Sequence, residues 1–169
     1  KVEALRVGDP ADEETDVGPV IDDDARKRIL AWIAEADGEL LTGGDTTDDG
    51  LIRPTVIAEP SPGDKVQCEE VFGPVVTLTR VGSLDEAIEL ANSTRYGLQA
   101  GIFTHDIRLI RHAVANLHVG GVMVNEVPTM RVDSMPYGGT RDSGLGREGP
   151  RYAMHEMSEP RLVMFNLDH

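Results

Sequence analysis

Two stretches of this chain combine residue types that could do chemistry at a fixed spacing. In Glu69-Glu70-Val71-Phe72-Gly73-Pro74 a carboxylate stands two residues ahead of an aromatic ring. A carboxylate can accept hydrogen bonds from both hydroxyls of a vicinal diol, and a flat apolar ring beside it can hold an aromatic heterocycle in a dry site. Gly73-Pro74 fixes the turn on which both would stand. The second stretch, Met135-Pro136-Tyr137-Gly138-Gly139-Thr140-Arg141-Asp142-Ser143-Gly144-Leu145-Gly146-Arg147-Glu148-Gly149, is a glycine-dense polar loop. Its end matches the dinucleotide fingerprint G-x-G-x-x-G letter for letter. That fingerprint works where its glycines join a strand directly to a helix whose N-terminus holds pyrophosphate. Here the nearest strand signal ends at Asn125 and Pro150 follows at once, so a free-standing nucleotide-binding domain is not expected.

Other reactive side chains are placed less favourably. Cys68 is the one cysteine, so neither an internal disulfide nor a four-cysteine zinc site can form. Glu69 and Glu70 follow it and disfavour a thiolate. The histidines (His105, His112, His118, His155, His169) include no H-x-x-x-H pair, and the acid runs at 12–16 and 22–24 lack calcium-loop spacing, so no metal is expected. With 16 basic against 30 acidic residues the net charge is −14, which disfavours nucleic acid and anionic membranes as partners. No apolar run reaches the ~18 residues of a membrane span, and residues 1–10 lack a signal-peptide architecture. A soluble, cytoplasmic protein is expected.

The elements that must position the two stretches read as follows. Asp22 can cap a helix that presents Ala25, Ile29, Trp32 and Ala36 at helical spacing, with Gly38 ending it. Strands are expected at 39–42 and 52–58, the latter pushed toward a sheet edge by Pro54. Residues 75–81 form a β-branched strand. Ser83 and Glu86 form a capping box for a helix burying Leu84, Ala87, Ile88 and Ala91. After a strand at 100–104, Asp106 caps a helix with Ile107, Ile110, Val114 and Leu117 on one face, and Gly120-Gly121 leads into a strand at 122–125. The order β-α-β-α-β with short connections implies an α/β fold with parallel strands and helices on the sheet faces. Ligands gather at the carboxyl ends of such strands, after residues 81, 104 and 125. A short helix at 152–157 and a final apolar strand at 161–167 complete the chain.

Taken together, these segments resemble the aldehyde dehydrogenase superfamily. The likeness rests on Leu5-Arg6-Val7-Gly8-Asp9-Pro10, Gly18-Pro19, Arg53-Pro54-Thr55-Val56, the Glu-Glu-Val-Phe-Gly-Pro segment, Asn92 with Tyr96-Gly97-Leu98, Asn125, and the long glycine loop, in the family's order and spacing. The loop differs mildly, with Tyr137 where the family more often has Phe.

The resemblance implies a three-layer, parallel-sheet portion of a catalytic domain over residues 1–156 and an oligomerisation strand over 157–169. It implies that Glu70 binds the nicotinamide ribose of NAD or NADP and that Phe72 lies against the nicotinamide. It also implies that the stretch from Asn125 through Arg131 to Tyr137 walls the entrance for a small-molecule aldehyde, with Arg131 a candidate clamp for an anionic one. The family's chemistry runs through a cysteine thiohemiacetal and thioester, yielding a carboxylic acid. Nucleophile and base precede the family's counterpart of residues 5–10. These residues alone are therefore expected to oxidise no aldehyde, and homo-oligomers are expected through the final strand. The alternative is a non-catalytic acidic α/β interaction module pairing through that strand.

Overall fold

The computed structural model describes residues 1–167, and the chain divides into two compact units, Lys1–Arg80 and the residues from Val81 onward. The segment 157–169 runs into residues 168 and 169, and these two, with the last of the five histidines, His169, lie outside the described residues.

In the first unit, helix α1 (Asp23–Glu35) begins where Asp22 accepts a hydrogen bond from the Ala25 amide at 2.7 Å, with Asp23 and Asp24 in the positive first turn. Strand β1 (Glu39–Thr42) runs antiparallel to β2 (Thr55–Ala58), and β2 runs parallel to β3 (Val75–Leu78). The one-turn helix α2 (Lys65–Cys68) lies in the crossover between β2 and β3. Ile29 and Ile33 of α1 meet Ile52, Ile57 and Val66 in the core, with Trp32, Val71 and Val75 packed against it.

The expected edge position of the second strand is corrected: β2 is the central strand of three. Pro54 precedes the first paired residue, so its missing N–H removes nothing from the ladder. Thr55 takes over the anchoring. Its amide donates to Pro74 O at 2.8 Å, its hydroxyl donates to Arg53 O at 2.8 Å, and the same oxygen accepts from the Gly44 amide at 2.9 Å.

In the second unit, α3 (Leu84–Asn92) is capped by Ser83 as expected, while the Glu86 carboxylate reaches one residue further back than a capping box requires, to Gly82. Ser83 Oγ accepts from the Glu86 amide at 3.1 Å, and Glu86 Oε2 accepts from the Gly82 amide at 2.6 Å. Strand β4 (Gln99–Ile102), helix α4 (Ile107–Asn116) and strand β5 (Gly121–Val124) follow, and β4 and β5 are parallel, as a βαβ crossover requires. Asp106 caps α4 through the Arg108 amide at 2.8 Å, and the Arg108 guanidinium beside it holds its carboxyl below the usual aspartate range.

Helix burial departs from expectation in this unit. On α3 Ile88 is buried, Leu84 and Ala87 are half-buried and Ala91 is exposed. On α4 the inward stripe runs through Ile110, Ala113 and Leu117, while Ile107 and Val114 face outward. Ala113, fully buried and small, lets the helix seat closely at that point, which turns the larger flanking residues away.

Helix α5 (Pro150–Glu156) starts with proline at its first position, a favoured place because no helical N–H is needed there. Residues 161–167 take no regular secondary structure. The expected strand is not formed, because a strand needs a neighbour to pair with, and Leu162, Met164, Phe165 and Leu167 are exposed.

Replacing Thr55 with valine keeps the shape but strips the hydroxyl from a fully buried position. Urea unfolding followed by Trp32 fluorescence should show a loss of ~1–3 kcal/mol. An unchanged midpoint would mean that Arg53 O and the Gly44 amide find other partners.

Candidate functional site

The Glu70–Phe72 stretch is held against the core of the first unit from both ends. On its near side Cys68 ends α2, its thiol half-buried and directed at Gly63 O at 3.6 Å. Val71 packs inward, and its carbonyl accepts from Arg28 Nη2 at 3.0 Å while the guanidinium lies 4.6 Å from the centre of the Trp32 ring. At Gly73 an added Cβ would stand 2.6 Å from Ile29 Cδ1, so a larger residue there would push the end of that core side chain aside. Pro74 O accepts the Thr55 amide at 2.8 Å, which fixes the far side.

Between those anchors the chain turns Phe72 outward. Its φ is +54°, a left-handed conformation disfavoured for any side chain with a Cβ, and 76% of the residue is exposed. Phe72 is therefore not a core residue, and Glu70 beside it is exposed as well. A fixed backbone thus presents a carboxylate and an unburied flat ring two residues apart. That donor set fits a ribose diol and a nicotinamide face.

In the second unit Asn125 stands just past the carboxyl end of β5 with φ +56°, and its Oδ1 accepts the Thr104 amide at 2.9 Å, tying together the exits of β4 and β5. Arg131 and Tyr137 are brought together: the Arg131 guanidinium lies 4.6 Å from the Tyr137 ring centre. It also pairs with Glu148 at 2.8 Å, so its acidic partner is Glu148 and not the nearby Asp133. Tyr137 and Glu148 are themselves joined by two backbone hydrogen bonds, Tyr137 N to Glu148 O at 3.2 Å and Glu148 N to Tyr137 O at 2.6 Å. The hydrogen bonds of Asn125 go instead to Thr104 and Ile102.

The glycine loop is anchored at the opposite strand ends. Thr140 N donates to Gly97 O at 3.0 Å and Ser143 Oγ accepts the Gly97 amide at 2.9 Å, just before β4 begins. A cavity of about 410 Å³ lies beside the loop, lined among others by Leu98, Tyr137, Ser143, Arg147 and Glu156. Asn125 thus stands at a carboxyl strand end, whereas the loop that carries Tyr137 is bonded at the strand entrances. The G-x-G-x-x-G run does lead into α5 through Gly149, but it follows a 3-10 turn at Arg141–Ser143, not a strand. Glu148 and Arg141 were not singled out from sequence. Their partners lie 17 and up to 49 residues away, and no local pattern marks such contacts. Among the described residues no group of His, Cys, Asp and Glu could hold a metal ion.

The model of the aldehyde dehydrogenase family matches residues 1–163. A 3-sulfolactaldehyde dehydrogenase of Priestia megaterium is 42% identical over 169 residues, covering 99% of this chain and 35% of the relative. The crystal structure of aldehyde dehydrogenase 21 from Physcomitrella patens, in complex with the reaction product succinate, superimposes with a TM-score of 0.94 at 45% identity, over 99% of this chain and 35% of that one. Glyceraldehyde-3-phosphate dehydrogenase GapN of Methanocaldococcus jannaschii, complexed with NADP, gives 0.86 at 40% identity, over 94% and 35%. The chain thus spans about a third of the length of the proteins it matches.

The strain at Phe72 can be measured. Glycine there relieves a left-handed conformation that costs ~1–2 kcal/mol, against ~0.5–1 kcal/mol of added chain entropy. Phe72→Gly should therefore unfold at the same urea concentration as the native chain or a higher one. A loss of ~2 kcal/mol would show that the ring is packed after all.

Proposed function

The chain belongs to the aldehyde dehydrogenase family, and on that premise we propose that it forms part of an enzyme that oxidises an aldehyde to a carboxylic acid with NAD or NADP. The observation that carries this reading is the outward-turned Phe72 beside the exposed Glu70, on a loop pinned to the core at Val71 and Gly73. Glu70 would accept hydrogen bonds from the nicotinamide ribose, and Phe72 would hold the nicotinamide face and keep water from it. The bound nicotinamide supplies the acceptor for the hydride that leaves the substrate.

The nucleophilic cysteine and the general base belong to the part of the family's length that these residues do not span. Cys68 is a poor substitute. It closes a single helical turn, and its thiol is directed at the Gly63 carbonyl with no basic side chain among its hydrogen-bond partners. What these residues would contribute is binding and orientation.

Arg131 and Tyr137 would wall the aldehyde entrance, together with Asn125. One of the similar proteins is a 3-sulfolactaldehyde dehydrogenase and another holds succinate, and a guanidinium backed by an aromatic ring suits the distal anion of such compounds. We assign this protein a small anionic aldehyde, with Glu148 as the partner that Arg131 keeps when no substrate anion is present. Residues 161–167, apolar and without a regular element, would gain one by adding to the sheet of a second copy, giving a homo-oligomer. Among the described residues no helix is long and apolar enough to cross a membrane, and the cytoplasm is the proposed compartment. The acidic interaction module is not favoured, since the family match runs through nearly every residue.

In the full-length protein Glu70→Gln should slow pre-steady-state hydride transfer by ~10-fold or more, because an amide oxygen accepts fewer hydrogen bonds than a carboxylate and the ring is placed less well. A variant that matches the parent in both hydride rate and cofactor affinity would reduce Glu70 to a surface acid. Arg131→Ala should lower kcat/KM for an anionic aldehyde ~10-fold more than for a neutral one of the same length. Equal losses for the two would leave Arg131 as the structural partner of Glu148 alone.

A further inference from the structure

We infer that Arg141 is a positioning residue for aldehyde recognition: it clamps the glycine loop to the strand entrances of the second unit so that Tyr137 and Arg131 stay where the substrate meets them. This rests on the functional reading above.

The observation that points to it is an arginine with an unusual set of partners. Its guanidinium donates to Asn92 O at 2.8 Å, to Thr94 O, and to His118 O at 3.1 Å. Among the described residues it meets no carboxylate, although the chain carries a net charge of −14. Other arginines of the same unit do: Arg95 pairs with Asp142, Arg108 with Asp106 and Arg131 with Glu148. Asn92 is the last residue of α3, so its carbonyl is one that a helix end leaves without a helical donor, and Thr94 lies two residues further on, past the C-cap Ser93. The third, His118 O, lies between α4 and β5. One side chain thus ties the end of α3 and the entry to β5 to the loop.

The backbone is bent to make this possible. Arg141 has φ +57°, which is disfavoured for a residue with a Cβ, and such a conformation persists only when its surroundings over-determine it. Flanking contacts do so. Thr140 Oγ1 donates to His118 O at 3.1 Å, the Asp142 amide donates to Arg95 O at 3.1 Å, and the Gly144 amide donates to Arg141 O at 3.4 Å. Residues 140–143 form the clamped tip of a loop whose two arms meet at Tyr137 and Glu148, and those arms carry the ring and the carboxylate on which Arg131 rests. Freeing the tip lets both arms drift, and the substrate's contact points drift with them. Lysine cannot replace the fork fully, since its single ammonium cannot reach acceptors spread over two guanidinium nitrogens.

The test uses the full-length protein with Arg141→Ala and Arg141→Lys, following aldehyde KM, cofactor KM, kcat and amide hydrogen exchange. For Arg141→Ala the expected result is an aldehyde KM raised ~10-fold, with kcat and cofactor KM within ~3-fold of the parent. Exchange should quicken at the Thr140, Asp142 and Glu148 amides and not at the core of the first unit, and Arg141→Lys should fall between alanine and the parent. Unchanged aldehyde KM and loop exchange would overturn the clamp. A general loss of protection with kcat and both KM values moving together would overturn it too, by reducing Arg141 to a fold residue. Should the alanine variant not fold, the lysine variant decides by the same two readouts. If the unsubstituted protein oxidises no aldehyde, the functional reading fails, and loop exchange alone then decides whether Arg141 holds the loop.

Discussion

No side chain fits at Gly120. A Cβ there would overlap the carbonyl oxygen of Gly138, and one at Gly97 would overlap the hydroxyl of Thr140. The glycine loop therefore lies backbone against backbone on the entrances of β4 and β5, with the Gly97 carbonyl and amide both bonded to it. Everything proposed for the substrate end of this chain depends on that approach. Tyr137 is one residue from Gly138, and Arg131 is held by Tyr137 and Glu148. In the first unit Gly73 passes close over the end of the Ile29 side chain, and Glu70 and Phe72 ride on a segment held by the Val71 and Pro74 carbonyls. In both units a loop gains the precision of the rigid elements beneath it, which is what a binding site on a loop requires.

The same loops hold half of the strained non-glycine backbone among the described residues. Non-glycine residues with positive φ among those described are Glu59, Phe72, Asn125 and Arg141. Glu59 has a local reason, since its carboxylate accepts the Arg80 amide at 3.0 Å. The other three fall within the two candidate stretches or at the exit of β5. Such conformations are retained where the surrounding structure enforces them and where the direction of a side chain matters more than its comfort. Phe72 illustrates the trade: Val71 packs on the core, and the next residue takes a left-handed turn with its ring exposed.

Much of this architecture is legible in the residues themselves. Asp22, Ser83 and Asp106 cap the helices that their positions announce, and the strand at 39–42 and the parallel pair around α4 follow from punctuation by glycine and from β-branched runs. What could not be read is what depends on neighbours distant in sequence. Pro54 signals an edge strand, yet β2 is central because pairing starts one residue later and Thr55 supplies the anchors. The helical wheel of α4 allows Ile107 and Val114 to face inward, and only the seating at Ala113 decides against it. An apolar run at 161–167 has the composition of a strand, but composition provides no pairing partner. Among the candidate site residues, Glu70, Phe72, Asn125, Arg131 and Tyr137 were visible as residue types in a pattern, whereas Glu148 as the counter-ion and Arg141 as the clamp emerge only from folded distances.

The proposed activity rests above all on the loop after α2 as a nicotinamide site. A crystal structure of the full-length protein with NAD or NADP bound tests it directly. Both Glu70 carboxylate oxygens should accept from the nicotinamide ribose hydroxyls at ~2.6–3.0 Å, with the Phe72 ring against the nicotinamide face and Phe72 still left-handed. A nicotinamide ribose bound elsewhere, with Glu70 in bulk water and Phe72 relaxed to negative φ, would contradict it.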